Sequence, residues 1–273
     1  GDGPDGIQGT YGLTVRNNII YNQRGPVVLP NHNDFVQAQA LYVKIYNNIF
    51  RDISDSAIDF DGHNAEGTLG HIIIFNNIFS MTYTAGIPSG IRLYSTNGPI
   101  TQLEDIHIYS NTMVDQAMAS AGGIPIRFEY GGGNPTVNNV HIKNNIFYNS
   151  GKRGATSVVY IAPSSGFTSA DWDINNNLVN AGALGETSIV VDGALFTQQQ
   201  GVSDAPTFVT YRQGSISNNF QLASTDTAAR DRGANLSVVC NTSWFAGLCS
   251  DKNGIARPQG SAWDIGAYEY VSG

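Results

Sequence analysis

One pattern of apolar and polar positions recurs along the first two thirds of the chain. Polar pairs that contain asparagine separate short apolar runs in VRNNIIYN, IYNNIFRD, IFNNIFSM, IYSNTMVD, IKNNIFYN and INNNLVNA. Taking the second polar position as an anchor gives six asparagines 29 to 34 residues apart: Asn18, Asn48, Asn77, Asn111, Asn145 and Asn176. An asparagine that keeps its phase over six copies, with insertions only between copies, indicates an internal structural repeat.

The repeat predicts a solenoid in which each copy forms one coil of short strands, stacked on the coil before it. Asparagine suits the turn between strands because it tolerates left-handed backbone conformation and its amide hydrogen-bonds locally. We therefore expect the anchors to form a ladder of amide hydrogen bonds along the stack. We also expect the next residue of each copy, which is mostly apolar, to fill the interior: Ile19, Ile49, Ile78, Thr112, Ile146 and Leu178.

A second strand follows about ten residues after each anchor and alternates between apolar and polar positions. Alignment of its apolar pairs gives the segments 27–31, 57–63, 90–96, 125–131, 158–164 and 188–193. The inward pairs are Ile58 and Phe60, Ile91 and Leu93, Ile126 and Phe128, and Val159 and Ile161. The outward positions form one column of Asp59, Arg92, Arg127 and Tyr160, and a second of Asp61, Tyr94, Glu129 and Ala162.

These outward columns predict a functional patch. Neighbouring strands lie about 4.8 Å apart, so four coils give a patch roughly 15 Å long, which is enough to contact several sugar units. The candidate catalytic residues are Arg92, Tyr94, Arg127, Glu129 and Tyr160, and the candidate substrate-binding residues are Asp59, Asp61, His63 and Tyr130. The alternative is that Asp59–Arg92 and Arg127–Glu129 are ion pairs that only hold the register of a solvated sheet.

The strand before each anchor carries a different outward face. It includes the aromatic run Tyr46, Phe75 and Tyr109, which we expect a long loop such as residues 24–40 to cover. His107 and His141 lie one coil apart in the same face. We do not expect them to bind a metal ion, because no carboxylate joins them in their column.

Composition narrows the function classes further. The net charge of −8 argues against a nucleic-acid partner, and no apolar run reaches the length of a membrane span. Charged residues make up only 13% of the chain, and Asn, Gly, Ser and Thr take their place, as is common in secreted β-proteins. Cys240 and Cys249 are close in sequence, and we expect a disulfide between them rather than two free buried thiols. A disulfide implies an oxidising compartment.

The repeated NNIF phrase and the ending DIGAYEY (264–270) resemble right-handed parallel β-helix proteins of the pectate-lyase-like superfamily. The repeat resemblance spans about residues 7 to 195, and RPQGSAWDIGAYEY is similar to the closing segment of many secreted bacterial members. The resemblance implies an all-β, right-handed parallel β-helix of about 6–7 coils in a secreted or cell-surface monomer. Residues 1–200 would form the coils, and residues 201–273 the last coil and a loop-rich, disulfide-closed cap of the same domain.

Fold resemblance alone does not select an activity, so three functions on an extracellular polysaccharide stay open. The first is a lyase that cleaves a uronic-acid polysaccharide by β-elimination. Arg92 and Arg127 would hold the uronate carboxylate, with Tyr94, Tyr160 or His63 as the base. In some similar families an arginine is the base.

In several members of the resembling superfamily calcium neutralises the uronate carboxylate. Its candidate oxygen ligands in this chain are Asp59, Asp61 and Glu129. The second function is a glycoside hydrolase that uses Asp59 with Asp61, or Asp61 with Glu129, as its carboxylate pair. The third is a non-catalytic carbohydrate-binding or adhesion module.

Overall fold

The computed structural model describes residues 7–23, 35–53, 56–61, 67–81, 89–94, 100–118, 123–130, 135–151, 157–163 and 169–272. Within these residues the chain is an all-β parallel solenoid, which confirms the predicted parallel β-helix. Each coil contributes one strand to each of three sheets, because three short apolar runs recur in every repeat of about thirty residues.

The strands are short, as expected for coils of this length. The first twelve are β1 (Ile7–Tyr11), β2 (Thr14–Arg16), β3 (Ile19–Gln23), β4 (Val36–Leu41), β5 (Val43–Tyr46), β6 (Ile49–Ile53), β7 (Ser56–Asp61), β8 (Thr68–Phe75), β9 (Ile78–Ser80), β10 (Ser89–Tyr94), β11 (Gln102–Tyr109) and β12 (Thr112–Val114). The others are β13 (Ile126–Glu129), β14 (Thr136–Lys143), β15 (Ile146–Tyr148), β16 (Val159–Ile161), β17 (Trp172–Asn175), β18 (Leu178–Asn180), β19 (Ile189–Val191), β20 (Ala194–Leu195), β21 (Phe208–Thr210) and β22 (Asn219–Leu222). The helices are 3₁₀ turns at Gln116–Met118 and Ser169–Asp171, and α1 at Ser237–Cys240.

Three sheets form the sides of the helix. In the described residues, sheet A has the order β1-β4-β7-β10-β13-β16-β19-β20, sheet B has β17-β14-β11-β8-β5-β2, and sheet C has β18-β15-β12-β9-β6-β3. All neighbouring strands within these three sheets are parallel except β19 and β20, and β21 and β22 form a separate antiparallel pair. Sheets B and C thus contain six described strands, whereas sheet A contains eight. The number of described strands therefore differs between the sides of the helix, whereas the sequence predicted a single count of about 6–7 coils.

The interior of the coils is a continuous apolar core. The inward pairs predicted for sheet A are confirmed, since Ile58, Phe60, Ile91, Leu93, Ile126, Phe128, Val159 and Ile161 are all buried in one cluster. Burial of these side chains removes apolar surface from water at about 25 cal/mol per Å², which makes this core the main source of stability. The register of sheet A, and hence the direction of its outward side chains, follows from this alternation.

The predicted asparagine ladder is confirmed, with one correction. At each step the backbone N–H and the side-chain amide of one anchor donate to Oδ1 of the next anchor, at 3.0–3.1 Å. The sixth anchor is Asn177 and not Asn176, because Asn145 donates to Asn177. Asn176 instead takes the left-handed turn position (φ 53°), as Asn47 and Asn76 do in their coils.

The expectation for the residue after each anchor is wrong. The buried anchor side chain already occupies the inward position, so strand alternation turns the next residue outward. Ile19 is 63% exposed, and Ile78, Ile146 and Leu178 pack outside the helix against the C-terminal segment. The interior is filled one position later, by Phe50, Phe79, Met113, Phe147 and Val179.

The C-terminal segment, which we define as residues 201–272, covers the outer faces of sheets B and C. Phe208, Phe220 and Ile265 pack on sheet C with Ile146 and Leu178. Leu236, Leu248 and Trp263 pack on sheet B with its outward aromatic residues. Neither cluster contains a residue of sheet A.

The same segment is fixed by polar contacts. The predicted disulfide joins Cys240 to Cys249, with their Cα atoms 5.4 Å apart. Arg257 and Glu269 form a fully buried ion pair at 2.9 Å within the closing sequence. The side-chain amide of Asn144 donates to the carbonyl of Ala234 and accepts from the N–H of the same residue. No helix in the described part of the chain has the length and apolar character needed to cross a membrane.

Candidate functional site

The outward side chains of sheet A meet as predicted. Arg92 is in register with Asp59 on one side and with Arg127 on the other, and Arg127 is in register with Tyr160. Tyr94 pairs with Asp61 and Glu129 in the second column. We call the outward side chains of Asp59, Arg92, Tyr94, Arg127, Glu129 and Tyr160 the arginine face.

The coil next to the arginine face differs from the alignment made from sequence. Strand β4, and not segment 27–31, pairs with β7, which puts Gln37 beside Asp59. Most of segment 24–40, including 27–31, lies outside the described residues. The sequence alignment selected segment 27–31 because its apolar residues match the pattern expected of an inward pair. It missed strand β4 because one of the buried inward positions of that strand is the small residue Ala38.

Asp59 and Arg92 form a two-bond ion pair across neighbouring coils. Nε and Nη2 of Arg92 donate to Oδ1 and Oδ2 of Asp59, at 3.0 and 2.8 Å. Asp59 is only 2% exposed, although it points away from the core. Such a paired geometry fixes both side chains and commits both carboxylate oxygens of Asp59 to the guanidinium. The guanidinium carbon of Arg92 also lies 5.6 Å from the ring centre of Tyr94.

Arg127 is held less completely than Arg92. Its Nη2 donates to Oε1 of Glu129 at 2.7 Å, and its side chain is 32% exposed. Within the described residues this is the one polar contact of the guanidinium, and Nε is buried without a hydrogen-bond partner. Because guanidinium carries five N–H donors, Arg127 keeps unused donors in the middle of the arginine face.

The three tyrosines of the patch lie at different depths. Tyr94 and Tyr160 are half-buried. Tyr130 is buried in the core cluster, which corrects the expectation that it flanks the patch at the surface. Burial, followed by the charges of Asp192 and Tyr160, raises the pKa of Tyr130. His63 and the side chain of Asp61 lie outside the described residues.

Calcium binding stays a prediction. No group of three or more His, Cys, Asp or Glu residues is arranged for a metal ion in the described part of the chain. The two predicted ligands whose side chains are described, Asp59 and Glu129, are each paired with an arginine. The third predicted ligand is Asp61, whose side chain lies outside the described residues.

A second group of polar side chains lies on sheet B. His141 stacks on His107 in the next coil, with ring centres 5.2 Å apart. The expectation that no carboxylate joins these histidines is wrong, because Asp173 occupies the next coil of the same column and contacts His141 Nδ1 at 2.7 Å. Asp173 also pairs with Lys143 at 2.6 Å, and both contacts contribute to the lowered pKa of its carboxyl.

His107, His141 and Lys143 line the floor of a cavity of about 330 Å³ between sheet B and the C-terminal segment, which we call the histidine pocket. Its floor includes His71, Asp105, Asn139, His141 and Lys143, and its apolar wall includes Trp244 and Phe245. The aromatic run Tyr46, Phe75 and Tyr109 is covered, as expected. The cover in the described residues is the C-terminal segment. Of the loop expected there, residues 36–40 belong to strand β4 of sheet A, and residues 24–34 lie outside the described residues.

His107 at the base of the histidine pocket makes stability pH-dependent. Burial, together with the charges of His141 and Lys143 and against that of Asp105, lowers the pKa of His107 to about 4. The unfolded chain has a histidine pKa of about 6.5, so between pH 6.5 and 4 it binds a proton that the folded chain does not. Stability therefore falls as the pH falls through this window.

We expect His107→Gln to lose less stability than the wild type between about pH 7.5 and about pH 5, by about 2 kcal/mol. Glutamine is neutral throughout this range and keeps a group that can bond the Tyr109 hydroxyl, which His107 Nδ1 contacts at 2.9 Å. Urea unfolding of both proteins at both pH values measures the difference, and the carboxylates common to both proteins cancel. An equal loss in the two proteins would contradict the assignment to His107.

Sequence reasoning missed Asp173, Trp244 and Phe245 as site residues. Asp173 was visible, since it stands in the same outward column as His107 and His141. Trp244 and Phe245 gave no signal, because they reach sheet B from about 200 residues further along the chain.

Comparisons with protein-family models, with curated proteins and with solved structures find no match for this chain. The pectate-lyase-like superfamily is therefore a resemblance in sequence motifs, whereas the parallel β-helix is a property of the structure. Function has to be argued from the two sites themselves.

Proposed function

We propose that this protein is an extracellular polysaccharide lyase that cleaves a uronic-acid polymer by β-elimination on the arginine face. The observation that carries the proposal is Arg127, whose guanidinium keeps unused donors between the partly exposed rings of Tyr94 and Tyr160. A uronate carboxylate is a planar, two-oxygen acceptor that matches the donor geometry of guanidinium. Arg92 supports the site by its charge, although Asp59 already occupies two of its donors.

Binding of the carboxylate prepares the chemical step. Hydrogen bonds from Arg127 withdraw negative charge from the carboxylate, which acidifies the proton on the adjacent ring carbon C5. In the proposed reaction the phenolate of Tyr160 takes that proton, since Tyr160 is one coil from Arg127 and in register with it. The C5–H electrons form the C4–C5 double bond, and the bond from C4 to the glycosidic oxygen breaks.

The leaving oxygen needs a proton. Tyr94 lies on the other side of Arg127, one coil away and in the second column, and its ring is held beside the Arg92 guanidinium. In the proposed reaction the Tyr94 hydroxyl donates to the leaving oxygen. Solvent then returns both tyrosines to their starting forms, because both are partly exposed.

Hydrolysis is the less favoured activity on this face. Asp59 accepts two bonds from Arg92 and is almost fully buried, so it is poorly placed to protonate a glycosidic oxygen or to activate water. Glu129 is more exposed but would need a second carboxylate as partner. The Asp61 side chain is outside the described residues, so the pairs that include it rest on the sequence alone.

Secretion belongs to the same proposal. The Cys240–Cys249 disulfide suits an oxidising compartment such as the extracellular space.

The test is a panel of pectate, alginate, glycosaminoglycans and neutral glycans, incubated with the whole protein. We expect new reducing ends together with unsaturated-uronate absorbance on at least one polyuronate. Reducing ends without absorbance would replace the lyase by a hydrolase. Binding without any cleavage would replace both by a carbohydrate-binding module. Addition of a calcium chelator to an active reaction tests the calcium prediction directly.

A further inference from the structure

The proposed function leaves the histidine pocket unexplained. The pocket lies on sheet B under the C-terminal segment, whereas the arginine face belongs to sheet A. A cavity of about 330 Å³ is within the range of small-molecule sites in proteins. It combines an apolar aromatic wall with a polar floor, which is a composition typical of ligand sites.

The polar floor offers both donors and acceptors that the protein does not use up. Lys143 contacts Asp173 and has two further N–H donors. His107 contacts Tyr109 through Nδ1, and no other polar partner of its ring lies in the described residues, which leaves Nε2. Asp105 contacts His71 and Asn139, and its carboxylate has room for further bonds.

Two simple ligand classes are disfavoured by the floor. A small anion would meet the carboxylate of Asp105, while the charge of Lys143, the one lysine of the lining, is offset by its ion pair with Asp173. A metal ion lacks the required cluster of ligands in the described part of the chain. A neutral polyol fits better, because every hydroxyl group is at once a donor and an acceptor.

Aromatic rings continue from the pocket onto the surface. Tyr42 stacks on His71 at 4.5 Å and meets the edge of Trp244 at 6.2 Å, while Tyr11 lies 5.2 Å from Tyr42. Tyr11 and Tyr42 are 70% and 39% exposed. We call Tyr11, Tyr42 and Trp244 the aromatic row. Exposed aromatic rings in a row provide flat apolar surfaces, on which the C–H faces of sugar rings pack.

The backbone of Tyr42 supports a functional origin for the row. Tyr42 has φ 65°, a left-handed conformation that is unfavourable for a bulky residue. The residues at the corresponding position of the next coils are His71, Asp105 and Asn139, and all three residue types are enriched in this conformation, whereas tyrosine is not. A tyrosine in this conformation carries backbone strain, and its exposed ring does not offset that strain by burial of apolar surface. A binding role therefore accounts for Tyr42 better than folding does.

We infer that the histidine pocket and the aromatic row form a second saccharide-binding site, which takes neutral pyranose units of a polysaccharide chain. One sugar ring occupies the pocket and bonds Lys143, His107 and Asp105, while Trp244 packs on its C–H face. Neighbouring rings of the chain extend over Tyr42 and Tyr11. This site anchors a polysaccharide without cleaving it, and it is independent of the arginine face.

Intrinsic tryptophan fluorescence provides a direct test. The chain has three tryptophans, and Trp172 and Trp263 are buried, so a ligand-dependent change in emission reports Trp244. Titration of the whole protein with oligomers of xylan, galactan and dextran should give a saturable emission change with at least one of them. The change should be absent in Trp244→Phe.

Calorimetry with the same oligomers measures affinity, in the Arg127→Ala background so that the arginine face does not contribute. Tyr42→Ala should weaken binding at least about tenfold, which corresponds to about 1.4 kcal/mol. Tyr21→Ala is the control, because Tyr21 is an exposed tyrosine on sheet C, away from the aromatic row, and the affinity of this variant should equal that of the background. Tyr42 lies at the surface, so its replacement leaves the core intact.

Two results would overturn the inference: no emission change with any oligomer, or equal affinities of Tyr42→Ala and Tyr21→Ala. Neither result bears on β-elimination, which is followed by unsaturated-uronate absorbance. Conversely, an emission change in a wild-type protein that forms no unsaturated uronate on any polyuronate of the panel would support this site and contradict the proposed function alone.

Discussion

Arg127→Ala should lower kcat/KM on the preferred polyuronate at least about a hundredfold, which corresponds to about 2.7 kcal/mol of transition-state stabilisation. The replacement removes the guanidinium that binds the uronate carboxylate in the proposed reaction, and Asp59 already takes two donors of the other arginine, Arg92. The kcat/KM of Arg127→Lys should lie between those of the wild type and Arg127→Ala, because lysine keeps the charge but cannot form two parallel hydrogen bonds. The measurement is the initial rate of unsaturated-uronate formation.

Folding and charge effects are separable in this experiment. Arg127 pairs with Glu129 at the surface, and such pairs contribute about 0–1 kcal/mol, so the unfolding transition of Arg127→Ala should barely move. Arg16→Ala is the matched control, since Arg16 is an exposed outward arginine on sheet B, and its activity should equal that of the wild type. An active Arg127→Ala protein would refute the arginine face as the catalytic site.

Asn111→Ala should destabilise the protein by about 3 kcal/mol. Oδ1 of Asn111 accepts bonds from the N–H and the side-chain amide of Asn77, and its own amide donates to Ile74 O and to Asn145 Oδ1. All of these groups are buried, so alanine leaves several donors and acceptors without partners. Each unsatisfied buried group costs about 1–3 kcal/mol.

Asn18→Ala is the matched control for the ladder. Asn18 is the first anchor of the repeat, is partly exposed and donates to Asn48, and in the described part of the chain it accepts no bond from another anchor. We expect a loss below about 1 kcal/mol, because water replaces its contacts. Urea unfolding measures both variants. Equal losses in Asn111→Ala and Asn18→Ala would show that the ladder contributes no more than a surface amide does.

The sequence determined the parallel coil architecture and most of the arginine face. The anchor asparagines and the alternation in the sheet A strands are local patterns, and each repeats with nearly constant spacing. Stacking brings equivalent positions of neighbouring coils into contact. The period of the sequence therefore predicts that Arg92 lies beside Arg127, as it does in the structure. The chemistry assigned to these residues is a prediction that neither the fold nor its register tests.

Local pattern failed where it was ambiguous. Three consecutive asparagines precede Leu178, and only the contact with Asn145 selects Asn177 as the anchor. The inward position at the anchor is taken by asparagine itself, which reversed the expected direction of the next residue. In both cases a shift of one residue changes the face, because strand side chains alternate with a period of two.

Only the tertiary structure decided what covers sheets B and C. Lys44 donates to the Trp244 carbonyl across 200 residues of sequence, and the Asn76 amide reaches Ser250 across 174. No local periodicity encodes contacts of this range, because they depend on where the chain leaves the last coil and on which surface of the coils it then contacts. The histidine pocket exists because of that path: the strands supply its polar floor, and the C-terminal segment, arriving from outside the repeat, supplies its aromatic wall.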